Sequence, residues 1–171
     1  MAVLHILRQG HRVFSQGAKP VTEITDDVRK LIDDMVETMR RSETPGVGLA
    51  APQVGHPLAI IVAEPPPDHE GTEALYEGAI VLMNPEVVYS SGSDVIEEGC
   101  LSCPGITAEV DRPRHVVVKG MDRDGREVKL EVSGALARIF QHEIDHLHGK
   151  FFFDHLNPLR RQLLKSRIRR T

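Results

Sequence analysis

The pentad His142-Glu143-Ile144-Asp145-His146 dictates more about the architecture of this chain than any other segment. Four residues along a helix advance it slightly more than one turn, so the two histidines leave the same face and can hold one metal ion. Ala135 and Ile139 share that face, which sinks both imidazoles among apolar neighbours. A lone buried imidazole is usually a satisfied core residue. Two at ligand spacing, with a carboxylate between them, argue for a metal site inside a central helix. Glu143 stands one step from the first imidazole, within reach of a water on such a metal.

Two histidines leave a catalytic zinc-type site one protein ligand short. The extended protease pattern would supply a third histidine at position 152, but Phe152 is there, and no glutamate follows Glu143. The missing ligand is therefore sought upstream, where Cys100 and Cys103 are the candidates. Two cysteines are too few for a disulfide scaffold. If both bound, the shell would close into an inert structural zinc. Zinc fingers, however, separate their cysteine and histidine pairs by about 12–15 residues, far less than the gap from Cys103 to His142. A redox pair would lack the helix-start setting of thioredoxin-like sites. One cysteine with two histidines and a water best accounts for Glu143, and spacing alone does not decide which cysteine.

The surrounding pattern predicts an α+β fold: antiparallel strands packed around the central metal-binding helix, with an N-terminal and a C-terminal helix. At 171 residues, 40% hydrophobic and 27% charged, the chain has the makings of one domain with its own core, residues 1–171. Thr25 caps a helix whose first turn holds Asp26 and Asp27. Val28, Leu31, Ile32, Met35, Val36 and Met39 then follow at helical period, and the stretch 42–48 ends it. Short apolar runs at 58–62 and 79–83 predict strands, and the proline-rich segment 64–77 between them predicts a surface loop. Segments 115–121 and 126–132 flank Asp122-Arg123-Asp124-Gly125, a hairpin signal. The central helix is predicted from Ser133 to Gly149, and a third from Pro158 to Arg170 with Leu159, Leu163, Leu164 and Ile168 on one side.

The longest unbroken apolar run, Leu58 to Ala63, is far short of the ~20 residues a bilayer needs. The first ten residues lack the features of a secretory signal, so a cytoplasmic protein without membrane contact is expected. The net charge of −4 conceals a split. Residues 156–171 carry six basic groups and no acid, and the remaining 155 residues hold 15 basic and 25 acidic groups. A basic helix over 158–171 behind an acidic body suits contact with nucleic-acid phosphates.

Three segments resemble the sequence motifs of the peptide deformylases: Gly46-Val-Gly-Leu-Ala-Ala-Pro-Gln53, Glu98-Gly-Cys-Leu-Ser102 and Gln141-His-Glu-Ile-Asp-His-Leu-His-Gly149. They come in the family's order and the resemblance covers essentially the whole chain. It implies a metal-dependent hydrolase that removes the N-formyl group from the initiator methionine of new polypeptides and releases formate. It further implies Cys100, His142 and His146 as metal ligands and Glu143 as base, then acid. The Gln53 side-chain amide and the Leu101 backbone N–H would stabilise the oxyanion. Gly48 would let an extended peptide pair with its backbone, Val47, Ile96 and Ile139 would line the methionine pocket, and Glu98 and Arg112 would form an ion pair behind the Cys100 loop.

The resemblance implies Fe(II) in cells, with Zn, Ni or Co able to occupy the site, and nascent chains as partners. The basic C-terminal helix would contact the ribosome. Two departures stand out: Thr107 lies where many members have an arginine that contacts the peptide backbone, and Cys103 adds a second thiol near the ligand. The rival readings are a zinc protease built on the same helix motif and a non-catalytic module in which Cys100, Cys103, His142 and His146 all bind zinc.

Overall fold

Helix α1 (Asp26–Arg41) begins where the capping signal predicts, in a computed structural model that describes residues 1–43, 46–64 and 78–168. Thr25 Oγ1 accepts from the Val28 backbone N–H at 3.3 Å, and Asp26 and Asp27 meet the positive end of the helix dipole. Its stripe of Leu31, Ile32, Met35 and Met39 is buried. The predicted loop over 64–77 lies, apart from Glu64, outside the described residues.

Among the described residues seven strands follow: β1 (Gly48–Ala50), β2 (Ile60–Ala63), β3 (Ile80–Ser91), β4 (Asp94–Gly99), β5 (Thr107–Arg112), β6 (His115–Met121) and β7 (Glu127–Ser133). Five form an antiparallel sheet in the order β1-β2-β3-β6-β7, and β4 pairs with β5 as a separate two-stranded sheet. The larger sheet is covered on both faces. Ile61 and Ala63 of β2 join the cluster under the second helix, and Ile60 and Val62 join the cluster under α1. Double burial is why this strand reads as one continuous apolar run instead of alternating.

Strand β3 runs eight residues beyond the predicted Met83. Past that point the chain meets Asn84, with φ 52°, and Pro85, where the pairing with β6 shifts register. The Asn84 amide compensates by bonding Val21 N and O at 2.7 and 2.9 Å.

Helix α2 (Gly134–Leu147) lies across the sheet with Leu136, Phe140 and Leu147 buried against it. Its end is closed by two backbone bonds, Lys150 N to Asp145 O at 2.9 Å and Gly149 N to His146 O at 3.1 Å. Gly149, at φ 72°, takes the left-handed step that this closure needs, and a Cβ there would lie 2.3 Å from Phe14 O. Helix α3 (Pro158–Ile168) starts on Asn157, whose side chain accepts from Arg160 N at 2.9 Å. Its predicted end at Arg170 lies outside the described residues. Leu164 and Ile168 face the protein, whereas Leu159 and Leu163 are exposed, so the packed stripe is narrower than the periodicity predicts. Among the described residues no helix is long and apolar enough to cross a membrane.

Candidate metal centre and active site

Cys100 follows directly on β4, and α2 presents His142 and His146 toward it. One ligand atom from each of the three lies within 4.8 Å of the others, and Cys100 Sγ is 3.3 Å from His146 Nε2. Both imidazoles are turned by partners on their other nitrogen. His142 Nδ1 meets Glu98 Oε2 at 2.9 Å, and His146 Nδ1 meets the Lys150 carbonyl at 3.0 Å. Partners of that kind fix the tautomer and leave Nε2 free to bind a metal. The aromatic floor is tight: Phe152 stacks at 6.4 Å on His142, and Phe151 lies edge-on to His146 at 4.9 Å. Position 152 thus packs against a histidine of the cluster.

The groups of the cluster shift one another's protonation. A hydrogen bond from the Cys103 thiol, backed by the imidazoles of His146 and His142 against opposing burial, holds the Cys100 thiol well below its ordinary value. Burial pulls His142 down, yet its bonds to Cys100 and Glu98 and the charge of Glu143 carry it well above the usual histidine range. A thiolate and two imidazoles form a donor set suited to a borderline-soft divalent metal. Cys103 is buried and donates its backbone N–H to Cys100 O at 2.9 Å, but it is not part of the donor group. The reading in which four residues close the shell loses its fourth ligand.

Glu98 anchors a buried charge network behind the ligands. Arg112 reaches it with Nε at 2.6 Å and a terminal nitrogen at 3.0 Å, and Arg138 with another at 2.5 Å. Burial pushes the Glu98 carboxyl up, but hydrogen bonds from His142 and Arg112 outweigh it and bring it down to about 2. Arg112 also donates to Asp145 Oδ2 at 2.8 Å, and His155 Nε2 lies 2.7 Å from the same oxygen. Arg138 and Asp145 are parts of the site that sequence reasoning missed. The available signal was that Arg138 and Asp145 lie on the same predicted central helix as the metal-ligand candidates.

Gln53 sits in the short 3-10 turn Ala51–Val54 and is buried. Its Oε1 accepts from Ala50 N at 2.8 Å, which aims Nε2 at Ser102 Oγ (3.2 Å) and Cys100 Sγ (3.6 Å). Glu143 is buried too, and its Oε2 has no hydrogen-bond partner among the described residues. Burial pushes its carboxyl up to about 7, against the pull of His142 and His146. A buried, unpartnered carboxyl oxygen beside this donor set fits a metal site that works on water better than one that only stabilises the fold.

These groups border a cleft of about 490 Å³. Val47, Ile96 and Ile139 form part of its wall beside Cys100, His142 and Glu143, and Leu101 and Thr107 border it as well. Ile139 is 7% exposed, whereas Val47 and Ile96 are 44% and 41% exposed at the rim. An apolar side chain entering the cleft would cover both.

The family model for polypeptide deformylase matches residues 3–162. A peptide deformylase of Thermodesulfovibrio yellowstonii is 43% identical over 169 residues, spanning 99% of this chain and 98% of the relative. One from Halothermothrix orenii is 52% identical over 154 residues, 90% of this chain and 94% of the relative. The crystal structure of peptide deformylase from Ehrlichia chaffeensis in complex with actinonin superposes with a TM-score of 0.89 at 37% identity, covering 99% and 98% of the two chains. A thiolate and two imidazoles gathered at an apolar cleft, and likeness along nearly the whole length, lead to one conclusion: this chain belongs to the polypeptide deformylase family.

Proposed function

We propose that residues 1–171 act as a single catalytic domain that hydrolyses the N-formyl group from the N-terminal methionine of newly made proteins in the cytoplasm, releasing formate. The observation that carries this reading is the buried Glu143 carboxylate, unpartnered at Oε2 and set at the cleft with Cys100 and His142, which group with His146. Those three residues would hold one divalent metal. Their soft sulfur and two imidazoles suit Fe(II), which we assign as the metal in cells, with Zn, Ni or Co able to substitute. Such a metal supplies Lewis acidity and brings the pKa of water toward neutrality.

Glu143 takes the proton from the attacking water as its oxygen bonds to the formyl carbon. It then returns that proton to the amide nitrogen, so the C–N bond breaks and the leaving group departs as a neutral amine. Gln53 Nε2, held in place by the Ala50 N–H on its other end, donates to the developing oxyanion together with the Leu101 backbone N–H. Val47, Ile96 and Ile139 take the methionine side chain, and Gly48 offers backbone to the extended peptide. Glu98 and Arg112 keep His142 and the Cys100 loop in register. Thr107 leaves the peptide beyond methionine without the arginine contact common in relatives.

Formyl-methionyl peptides are expected to yield formate and a free α-amine in equal amounts, while unformylated peptides stay intact. Chain cleavage without formate would establish the protease reading instead. Activity per metal, measured on protein purified without air, tests the assignment of Fe(II).

The basic helix gives the enzyme a place to work. Arg160, Arg161 and Arg167 lie on α3, and Lys165 leans back on the protein, 3.6 Å from Asp154 and 5.5 Å above the Phe153 ring. We assign the three arginines to phosphates of ribosomal RNA. Their joint replacement by glutamine is expected to abolish salt-sensitive co-sedimentation with ribosomes and leave turnover of a short peptide unchanged. Retained co-sedimentation would refute the contact.

A further inference from the structure

We propose that Gly48 is a positioning residue for Glu143: the side chain it lacks is the space in which the Glu143 carboxylate is held. The inference rests on the reading of Glu143 as the proton carrier. Gly48 is buried at the start of β1, paired with Ala63. Its backbone is not left-handed, so nothing in its conformation calls for glycine. Space does. A Cβ at position 48 would lie 2.5 Å from Glu143 Oε1 and 2.9 Å from both Cδ and Cγ.

That collision has few ways to relax. On one side β1 is tied to β2, whose residues are buried on both faces. On the other, α2 is packed on the sheet and closed at its end by the Gly149 turn. What remains free is the Glu143 side chain, which would have to swing out of its present rotamer. Gly46 makes a useful contrast, because a Cβ there would meet the tip of the Leu101 side chain at 2.8 Å, and such a tip can move. The two glycines of one motif therefore have different uses. Strand β1 serves the chemistry twice over three residues: Gly48 makes room for the carboxylate, and the Ala50 N–H holds the amide of Gln53.

The test is a set of holoenzymes with measured metal content: wild type, Gly48→Ala, Glu143→Ala, Glu143→Gln and the two double variants. Gly48→Ala is expected to lower Tm by about 5 °C. The same drop is expected in the Glu143→Gln background, where the shape is kept, and no drop in the Glu143→Ala background, where the collision is gone. Gly48→Ala is also expected to cut kcat about 100-fold, as a displaced reacting group does, with KM within about threefold. An equal Tm drop in all backgrounds would overturn the proposal. So would a raised KM with kcat intact, which would leave Gly48 to peptide pairing alone. If Gly48→Ala does not fold, folding of Gly48→Ala/Glu143→Ala supports the proposal and its failure overturns it. Full activity of metal-loaded Glu143→Ala would overturn the assignment of Glu143 itself, an outcome distinct from any result of the Tm series.

Discussion

Glu143→Gln is expected to lower formate release from a formyl-methionine peptide by about 10³-fold while the metal stays bound, the magnitude general acid–base catalysis commonly supplies. Glutamine keeps the length and shape of the side chain, so its fit against Gly48 is undisturbed. What it removes is the proposed proton carrier. Burial pushes the glutamate carboxyl up to about 7, which suits the proposed role of taking a proton from water and giving it to an amine near neutral pH. KM is expected to change little, because the proposed methionine contacts, Val47, Ile96 and Ile139, lie on the cleft wall apart from the carboxylate. The measurement is formate release alongside metal content, each per mole of protein. A metal-loaded variant with wild-type turnover would show that the proton travels by another route.

The parts of this protein that could be read in advance are those in which local pattern and final environment agree. Helix α1 carries its cap, its first-turn acids and its stripe within twenty residues, and the hairpin of β6 and β7 carries its own turn. Strands β4 and β5 carry no such local signal, because Glu97, Glu98, Glu109 and Asp111 give them the pattern of a solvated stretch. The end of β3 is hidden behind Asn84-Pro85, whose cost is met by Val21, sixty-three residues away.

The same division runs through the site. The spacing of His142 and His146 announces a shared face, but no spacing rule separates Cys100 from Cys103. Only the fold does that, by bringing one sulfur to 3.3 Å from His146 and turning the other into a donor for its neighbour. Arg138 reads as a surface charge until the two-stranded sheet delivers Glu98 to it from forty residues upstream. The use of Gly48 depends in the same way on a carboxylate ninety-five residues further along the chain.

Glu98→Gln is expected to cost about 3–5 kcal/mol of stability, the range seen when one partner of a buried ion network is removed. Glutamine fills the same volume with one acceptor oxygen and adds two N–H donors. Those donors would face Arg112, Arg138 and His142, which now converge on two carboxylate oxygens at 2.5 to 3.0 Å. Arg112 keeps Asp145, but Arg138 is left with the carbonyls of Val110 and Asp94 and no negative charge. His142 loses the carboxylate that turns its ring, so metal affinity is expected to fall 10- to 100-fold, roughly the cost of losing such a partner. The sign with pH follows from the depressed value of about 2 against an ordinary glutamate value of 4.5. This stabilisation is fully present above 4.5 and is lost as pH falls through 2, so the gap between wild type and variant narrows across that window. Urea denaturation at pH 7 and at pH 3, with chelator competition for the metal, measures both effects. Equal midpoints and equal metal affinity would mean that Arg112 and Arg138 need no carboxylate between them, which is incompatible with two buried guanidinium groups at this site.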